Sequence, residues 1–147
     1  MKKSKHIGAY GLILDKDKIV LINKVGGPYN GKLDLPGGTI EFGEKPEDAL
    51  VRELEEEVGI RVTDFILFDG NSIYKEWSYK DYEEQLHHLG FFYKINKYEN
   101  EIQSNITITE VNDDSLGAQF YNINELSKDN LSDIAILEIE KLGYKLK

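Results

Sequence analysis

The apolar positions change their period along the chain, and those changes mark out the elements. Residues 6–14 carry apolar or small side chains on both alternating faces (Ile7, Ala9, Gly11 and Ile13 against Gly8, Tyr10, Leu12 and Leu14), the pattern of an inner strand covered on two sides. Asp15-Lys16-Asp17-Lys18 predicts a turn, residues 19–24 a returning strand, and the Gly, Pro and Asn content of 26–31 a loop. From Pro46 the period becomes helical: Leu50, Val51, Leu54 and Val58 fall on one quarter of a helix predicted over 46–58. Pro46 suits the first turn, Glu47 and Asp48 suit the positive end of the helix dipole, and Gly59 suits a left-handed C-cap. Further strands are predicted at 62–68, 74–79, 85–95 and 118–123, and a second helix at 132–142. The polar stretch 97–117 predicts a long mobile connection with one more strand at 102–109. Strands before, between and after two helices imply an α/β fold, a mixed β-sheet flanked by helices on both faces.

The first helix has a second stripe. Glu53, Glu56 and Glu57 lie three and four residues apart on the face next to the apolar one, with the small Ala49 among them. Like charges at these spacings destabilise a helix by a few tenths of a kcal/mol per pair, so something must compensate. Hard carboxylate oxygens gathered this way suit Mg²⁺, which keeps several waters and bridges one or two carboxylates to substrate phosphates. A solvated acidic face is the competing reading of Glu-x-x-Glu-Glu alone.

The wider spacing decides between them. Residues 38–60 fit G-x5-E-x7-R-E-U-x-E-E-x-G-U, where U is aliphatic, at Gly38, Glu44, Arg52, Glu53, Leu54, Glu56, Glu57, Gly59 and Ile60. This is the box of the Nudix hydrolases, and the whole chain resembles a Nudix domain. The resemblance is strongest over residues 1–60, where the opening strands, Leu35-Pro36-Gly37-Gly38 and the box lie without gaps on the bacterial oxidised-purine triphosphatases; beyond Ile60 it is architectural. It implies an α/β/α sandwich and cleavage of a pyrophosphate bond in a nucleoside diphosphate-linked substrate, a nucleoside triphosphate first, with water and Mg²⁺ or Mn²⁺. Hydrolysis of another linked diphosphate (a nucleotide sugar, a dinucleoside polyphosphate, an RNA 5′ end) and a silent nucleotide-sensing module are the alternatives. An intact box and a chain without spare length favour the enzyme.

Carried over residue by residue, the resemblance makes Glu53, Glu56 and Glu57 metal ligands, with the Gly37 backbone carbonyl. Glu53 or Glu56 becomes the general base and Arg52 a group that orients a carboxylate, Glu56 or Glu44. An alternative base lies among Glu110, Asp113 and Asp114. Lys32, Asp34 and Asn130 are candidate substrate contacts. Asn23 and Pro28 replace the basic residue and the histidine that precede Pro-Gly-Gly in the oxidised-purine enzymes, so oxidised dGTP is not implied. A homodimer is implied by analogy with family members.

Composition narrows the classes further. A chain of 147 residues, 40% hydrophobic and 31% charged, reads as one domain over 1–147 able to bury a real core. No apolar run approaches the roughly 18 residues of a membrane span, and Met1-Lys2-Lys3-Ser4-Lys5 leads straight into a strand, which predicts a cytoplasmic protein. The absence of cysteine excludes disulfides, thiolate metal sites and Cys nucleophiles. A net charge of −9 argues against general nucleic-acid or anionic-membrane binding, while a small phosphorylated substrate delivered with cations stays compatible. His87 and His88 are adjacent in a strand, face opposite ways and cannot share one metal. Tyr74, Trp77, Tyr79 and Tyr82 could stack on a base or simply pack on the strands.

Overall fold

The computed structural model describes residues 1–102 and 115–147. Glu110, Asp113 and Asp114, and all but the first residue of the strand expected at 102–109, lie outside the described residues. In chain order the elements are β1 (Lys2–Leu12), β2 (Leu14–Asp15), β3 (Lys18–Lys24), β4 (Leu33–Asp34), β5 (Gly37–Thr39), α1 (Pro46–Val58), β6 (Arg61–Tyr79), β7 (Tyr82–Glu99), β8 (Ser115–Asn122) and α2 (Asp133–Lys141). Short 3₁₀ turns lie at Gly27–Tyr29, Ile123–Glu125 and Lys128–Asn130.

The strands form two sheets where the sequence pattern implied one. The first runs β5-β1-β7-β6 and is mixed, because β1 and β7 are parallel while the other pairs are antiparallel. In the second, β3 pairs antiparallel with β2, β4 and β8. Helices cover both sides, as the alternation in the strands requires. Ala9, Val20, Ile22 and Tyr93 join Leu50, Leu54 and Val58 of α1 in one core, and Tyr10, Leu12, Ile19, Leu21 and Phe92 join Ile134, Ala135 and Ile139 of α2 in the other. Successive residues of one strand thus serve opposite layers.

Helix α1 occupies 46–58 as its caps dictate, and Gly59 ends it at φ 79° with its N–H bonded to the Leu54 and Glu55 carbonyls. Helix α2 starts behind Ser132, whose hydroxyl accepts from the Ala135 N–H.

The strands expected at 62–68 and 74–79 are one. The 19-residue β6 pairs with β7 from Arg61↔Glu99 to Tyr79↔Tyr82, and register shifts between Val62 and Asp69 absorb the broken pattern. The polar Asp69-Gly70-Asn71-Ser72 stays in the strand because β7 supplies a partner for each residue. Likewise β1 begins at Lys2, since β7 reaches far enough to pair Lys2 with Glu84. Lys80-Asp81 closes the ribbon in two residues, with Lys80 at φ 55°.

Leu54 is wholly buried, and a Cβ added to Gly11 would lie 2.9 Å from its Cδ1, so helix and β1 touch at that point. Leu54→Ala is expected to cost about 3 kcal/mol, the transfer term plus a cavity that a rigid strand cannot fill. Urea unfolding with an unchanged m-value and a lowered midpoint would show it.

Candidate active site

The site is built where the short β5 meets α1. Gly37 has φ 142°, and a Cβ there would fall 2.2 Å from the Ala9 carbonyl oxygen and 2.7 Å from Tyr10 Cα. Both are backbone atoms of β1 and cannot move aside, so only glycine lets β5 lie this close. The strand is held by register pairs Gly8↔Thr39, Ala9↔Gly38 and Tyr10↔Gly37, flanked by Gly11 N–H to Pro36 O at 2.9 Å and Ile40 N–H to Ile7 O at 3.0 Å.

Two helix carboxylates reach this turn. The Gly37 N–H donates to Glu57 Oε1 at 2.9 Å, in a contact where Glu57 keeps 9% exposure. Glu53 lies against Gly38 so closely that a Cβ there would be 2.6 Å from its carboxyl group. The first glycine of the box is therefore the space that the Glu53 head group occupies. Glu56, one turn on, is 60% exposed.

Arg52 ties the cluster to the loop before the helix. Its Nε and Nη2 donate to Glu44 Oε2 and Oε1 at 3.0 and 2.9 Å, a bidentate pair, while Nη1 donates to Glu53 Oε1 at 2.9 Å and Glu56 Oε2 at 3.4 Å. Nη2 also donates to the Thr39 carbonyl at 3.0 Å, which joins β5 to α1. The guanidinium thus meets both carboxylates that the sequence offered it, and Glu53 as well. The hydrogen bond from Arg52, helped by the Glu41 N–H, holds the Glu44 carboxyl down at about 2. The Arg52 guanidinium is pushed further up by the Glu44 hydrogen bond, against burial.

The three box carboxylates do not close on one point. Among the described residues no three acidic or histidine side chains are gathered tightly enough to enclose an ion. Glu53 and Glu56 turn toward Arg52, and Glu57 toward Gly37. What they offer is an open edge of hard oxygens, with three carboxylates (Glu44, Glu53, Glu56) around one guanidinium and Glu57 beside them on the Gly37 N–H. That donor set and its excess negative charge fit a hydrated divalent cation better than a fully enclosed one.

Lys32, Asp34 and Asn130 come together at a second place. Leu33 and Leu131 form a parallel bridge and the Ser132 N–H donates to the Leu33 carbonyl at 2.9 Å, which brings β4 beside the start of α2. Asp34 is buried and accepts from the Leu35 N–H at 2.8 Å and from the Ser132 hydroxyl, while Asn130 is exposed. Next to them stands a cluster that the sequence pattern did not announce. The Tyr29 hydroxyl donates to Asp133 Oδ2 at 3.0 Å, Lys75 Nζ reaches the same oxygen at 3.2 Å, and that ammonium lies 5.0 Å from the centre of the Tyr29 ring. Burial, then the Asp133 charge, keeps the Tyr29 hydroxyl protonated far above its ordinary range. Thr39 was missed for a different reason, since a backbone carbonyl has no sequence signal.

The histidines separate as alternation demands. His87 is exposed; His88 is buried, shares a 2.6 Å hydrogen bond with the Tyr10 hydroxyl and is pushed down to about 3, chiefly by burial. Trp77 donates to Glu84 Oε1 at 2.7 Å and packs against Tyr82, while Tyr74 and Tyr79 are exposed.

The family model described as the NUDIX domain matches residues 4–138. The chain belongs to the Nudix family. Over 118 residues, 80% of this Nudix chain, it is 30% identical to an ADP-ribose pyrophosphatase of Methanocaldococcus jannaschii, and over 63 residues, 42% of the chain, 44% identical to the 8-oxo-dGTP diphosphatase of Escherichia coli. Those matches span 62% and 49% of the two relatives. A MutT NUDIX hydrolase structure from Burkholderia pseudomallei superposes with a TM-score of 0.71 at 22% identity, covering 95% of this chain and 98% of its own, which shows the Nudix fold. Among the described residues no helix is long and apolar enough to cross a membrane.

Because Glu44 titrates at about 2 when folded and at 4.5 by default, the pair contributes stability above pH 4.5 that is lost as pH falls toward 2. Chemical denaturation of Glu44→Gln is expected to show a shallower decline than wild type across that acid window.

Proposed function

We propose that this Nudix domain, residues 1–147 with its box at 38–60, hydrolyses a pyrophosphate bond in a nucleoside diphosphate-linked substrate, a nucleoside triphosphate first, with Mg²⁺ or Mn²⁺. One observation carries the reading: Glu53 and Glu57 are drawn against the Pro36-Gly37-Gly38 turn, beside Glu56, with Arg52 locking the arrangement. Glu53, Glu56, Glu57 and the Gly37 carbonyl would hold the cation. Bound there, a divalent ion neutralises phosphate charge and acidifies the attacking water.

The residues of the chain do the rest. Glu53, fixed at Oε1 by Arg52, is oriented to take a proton at a carboxylate oxygen, and Glu56 is the second candidate for that transfer. Glycines at 37 and 38 let the turn lie directly against β1 and the Glu53 carboxyl group. Lys32, Asp34 and Asn130, at the junction of β4 and α2, are proposed to bound the substrate away from the box. A linked diphosphate of the ADP-ribose kind is the second reading, favoured by the likeness to the archaeal pyrophosphatase over more of the chain than the triphosphatase likeness covers.

A nucleotide panel with each metal, phosphate and pyrophosphate being read separately, tests the reaction. Turnover of no member from pH 7 to 9, with nucleotides still bound, would replace the enzyme by a sensor. Glu57→Gln is expected to lower kcat by about 10²-fold, roughly 2.7 kcal/mol of transition-state stabilisation, and leave the fold intact. Activity within threefold of wild type at saturating Mg²⁺ would remove Glu57 from the ligand set. Millimolar Mg²⁺ should also raise the Tm by mass action, and do so less in Glu53→Gln/Glu57→Gln.

A further inference from the structure

Helix α2 meets β6 through two carboxyl groups that face each other in the dry. Glu138 has 0% exposure, and neither of its carboxyl oxygens has a hydrogen-bond partner in conventional geometry. Asp69 is 9% exposed; its Oδ1 takes a hydrogen bond from Lys141 Nζ, while its buried Oδ2 likewise has none. Three buried acid oxygens without a partner in one contact are what two facing carboxyl groups leave unless a proton lies between them. Two bare charges there would be repelled and desolvated together, an arrangement that folded proteins avoid by neutralising one of them.

We propose that Glu138 and Asp69 share one proton in neutral solution, with Glu138 as the carboxylic acid donating to Asp69 Oδ2, and that this bond pins α2 to the sheet until alkali removes it. The surroundings decide which partner is neutral. From β6 the pair meets Asn71 and the Gly70 N–H, and from α2 it meets Lys141, whose ammonium sits on Asp69. From β1 and β7 the same core presents Leu12 and Phe92, and the titratable Tyr10 and His88 of that face are bonded to each other. From the segment after α2 come Leu142, Tyr144 and Leu146, the Tyr144 hydroxyl donating to Asp17. Burial, then the hydrogen bond and charge of Asp69, push the Glu138 carboxyl up to about 8. Burial also acts to raise Asp69, but the Lys141 and Glu138 hydrogen bonds outweigh it and hold that carboxyl below its ordinary value.

The linkage has a definite sign. An unfolded Glu138 ionises near 4.5 and the folded one near 8, so between those values only the unfolded chain has released the proton. Stability is therefore lost as pH rises from about 5 to about 8 and levels off beyond. The same helix begins at Ser132 and Asp133, which hold Asp34, Tyr29 and Lys75, so its attachment also governs that end of the site.

Carbon-13 NMR of the side-chain carboxyl groups, with Glu138 assigned by its loss in Glu138→Gln, reads the proton directly. The Glu138 signal is expected to stay that of a neutral acid at pH 7 and to titrate at least two pH units above 4.5. Asp69→Asn, which removes the facing charge, should move that titration down. In parallel denaturation series, Glu138→Gln should lack the decline in stability that wild type shows between about pH 5 and about pH 8. A Glu138 carboxyl already ionised at pH 7, or parallel stability curves for wild type and Glu138→Gln, would overturn the proposal. Should Glu138→Gln fail to fold, assignment through Asp69→Asn leaves the wild-type titration to decide.

Discussion

The approach of Gly37 to the backbone of β1 is the constraint on which the rest of the site depends. A three-residue edge strand has little to hold it, and here a bare Cα seated on the Ala9 carbonyl does what side-chain packing does elsewhere. Once β5 is seated, its N–H at Gly37 and its carbonyl at Thr39 become fixed points. Glu57 reads the first and Arg52 the second, so the helix is registered against the strand at both ends of the turn. Glu53 then has one place to go, the gap above Gly38. The acidic stripe is thus positioned by backbone groups of β5 and by the Arg52 guanidinium.

Arg52 shows how one cation can organise several anions without neutralising them. Its bidentate hold on Glu44 anchors the loop ahead of the helix, and its remaining N–H groups set Glu53 and Glu56 at different lengths and exposures. The two acids consequently differ in kind. Glu53 is tucked between arginine and glycine, whereas Glu56 stands 60% exposed with one long contact. One helix turn thus carries one carboxylate held from two sides and another held by a single long contact.

Much of this was legible in the chain. The caps of α1, its two stripes and the double-sided β1 are local patterns, fixed by residues within a few positions of one another, and they stand as expected. The joining of 62–68 to 74–79 was not legible, because Asp69-Gly70-Asn71-Ser72 has neither alternation nor β-propensity and is a strand only through its partner. Nor was the division into two sheets, which depends on β3 choosing β8 over β1. The Tyr29, Lys75 and Asp133 cluster joins three distant segments, each unremarkable alone. Glu138 is the most instructive: it lies on α2 between the buried Ile134, Ala135 and Ile139, and its meaning appears only opposite Asp69.

The parallel pairing of β1 with β7 joins distant parts of the chain. Lys2 lies against Glu84 and Leu12 against Lys94, so every contact in this pair closes a loop of about 80 residues, and everything between them, box helix included, is inside that loop. Hairpins such as β6–β7 can form early because their ends are neighbours, but non-local pairing must first overcome the entropy of closure. Gly37 rests on β1 through a separate and more local pairing, Tyr10↔Gly37 to Gly8↔Thr39. The turn beside the box helix is therefore held to β1 by the shorter of two closures, while β7 fastens the other edge of the same strand through one about three times as long.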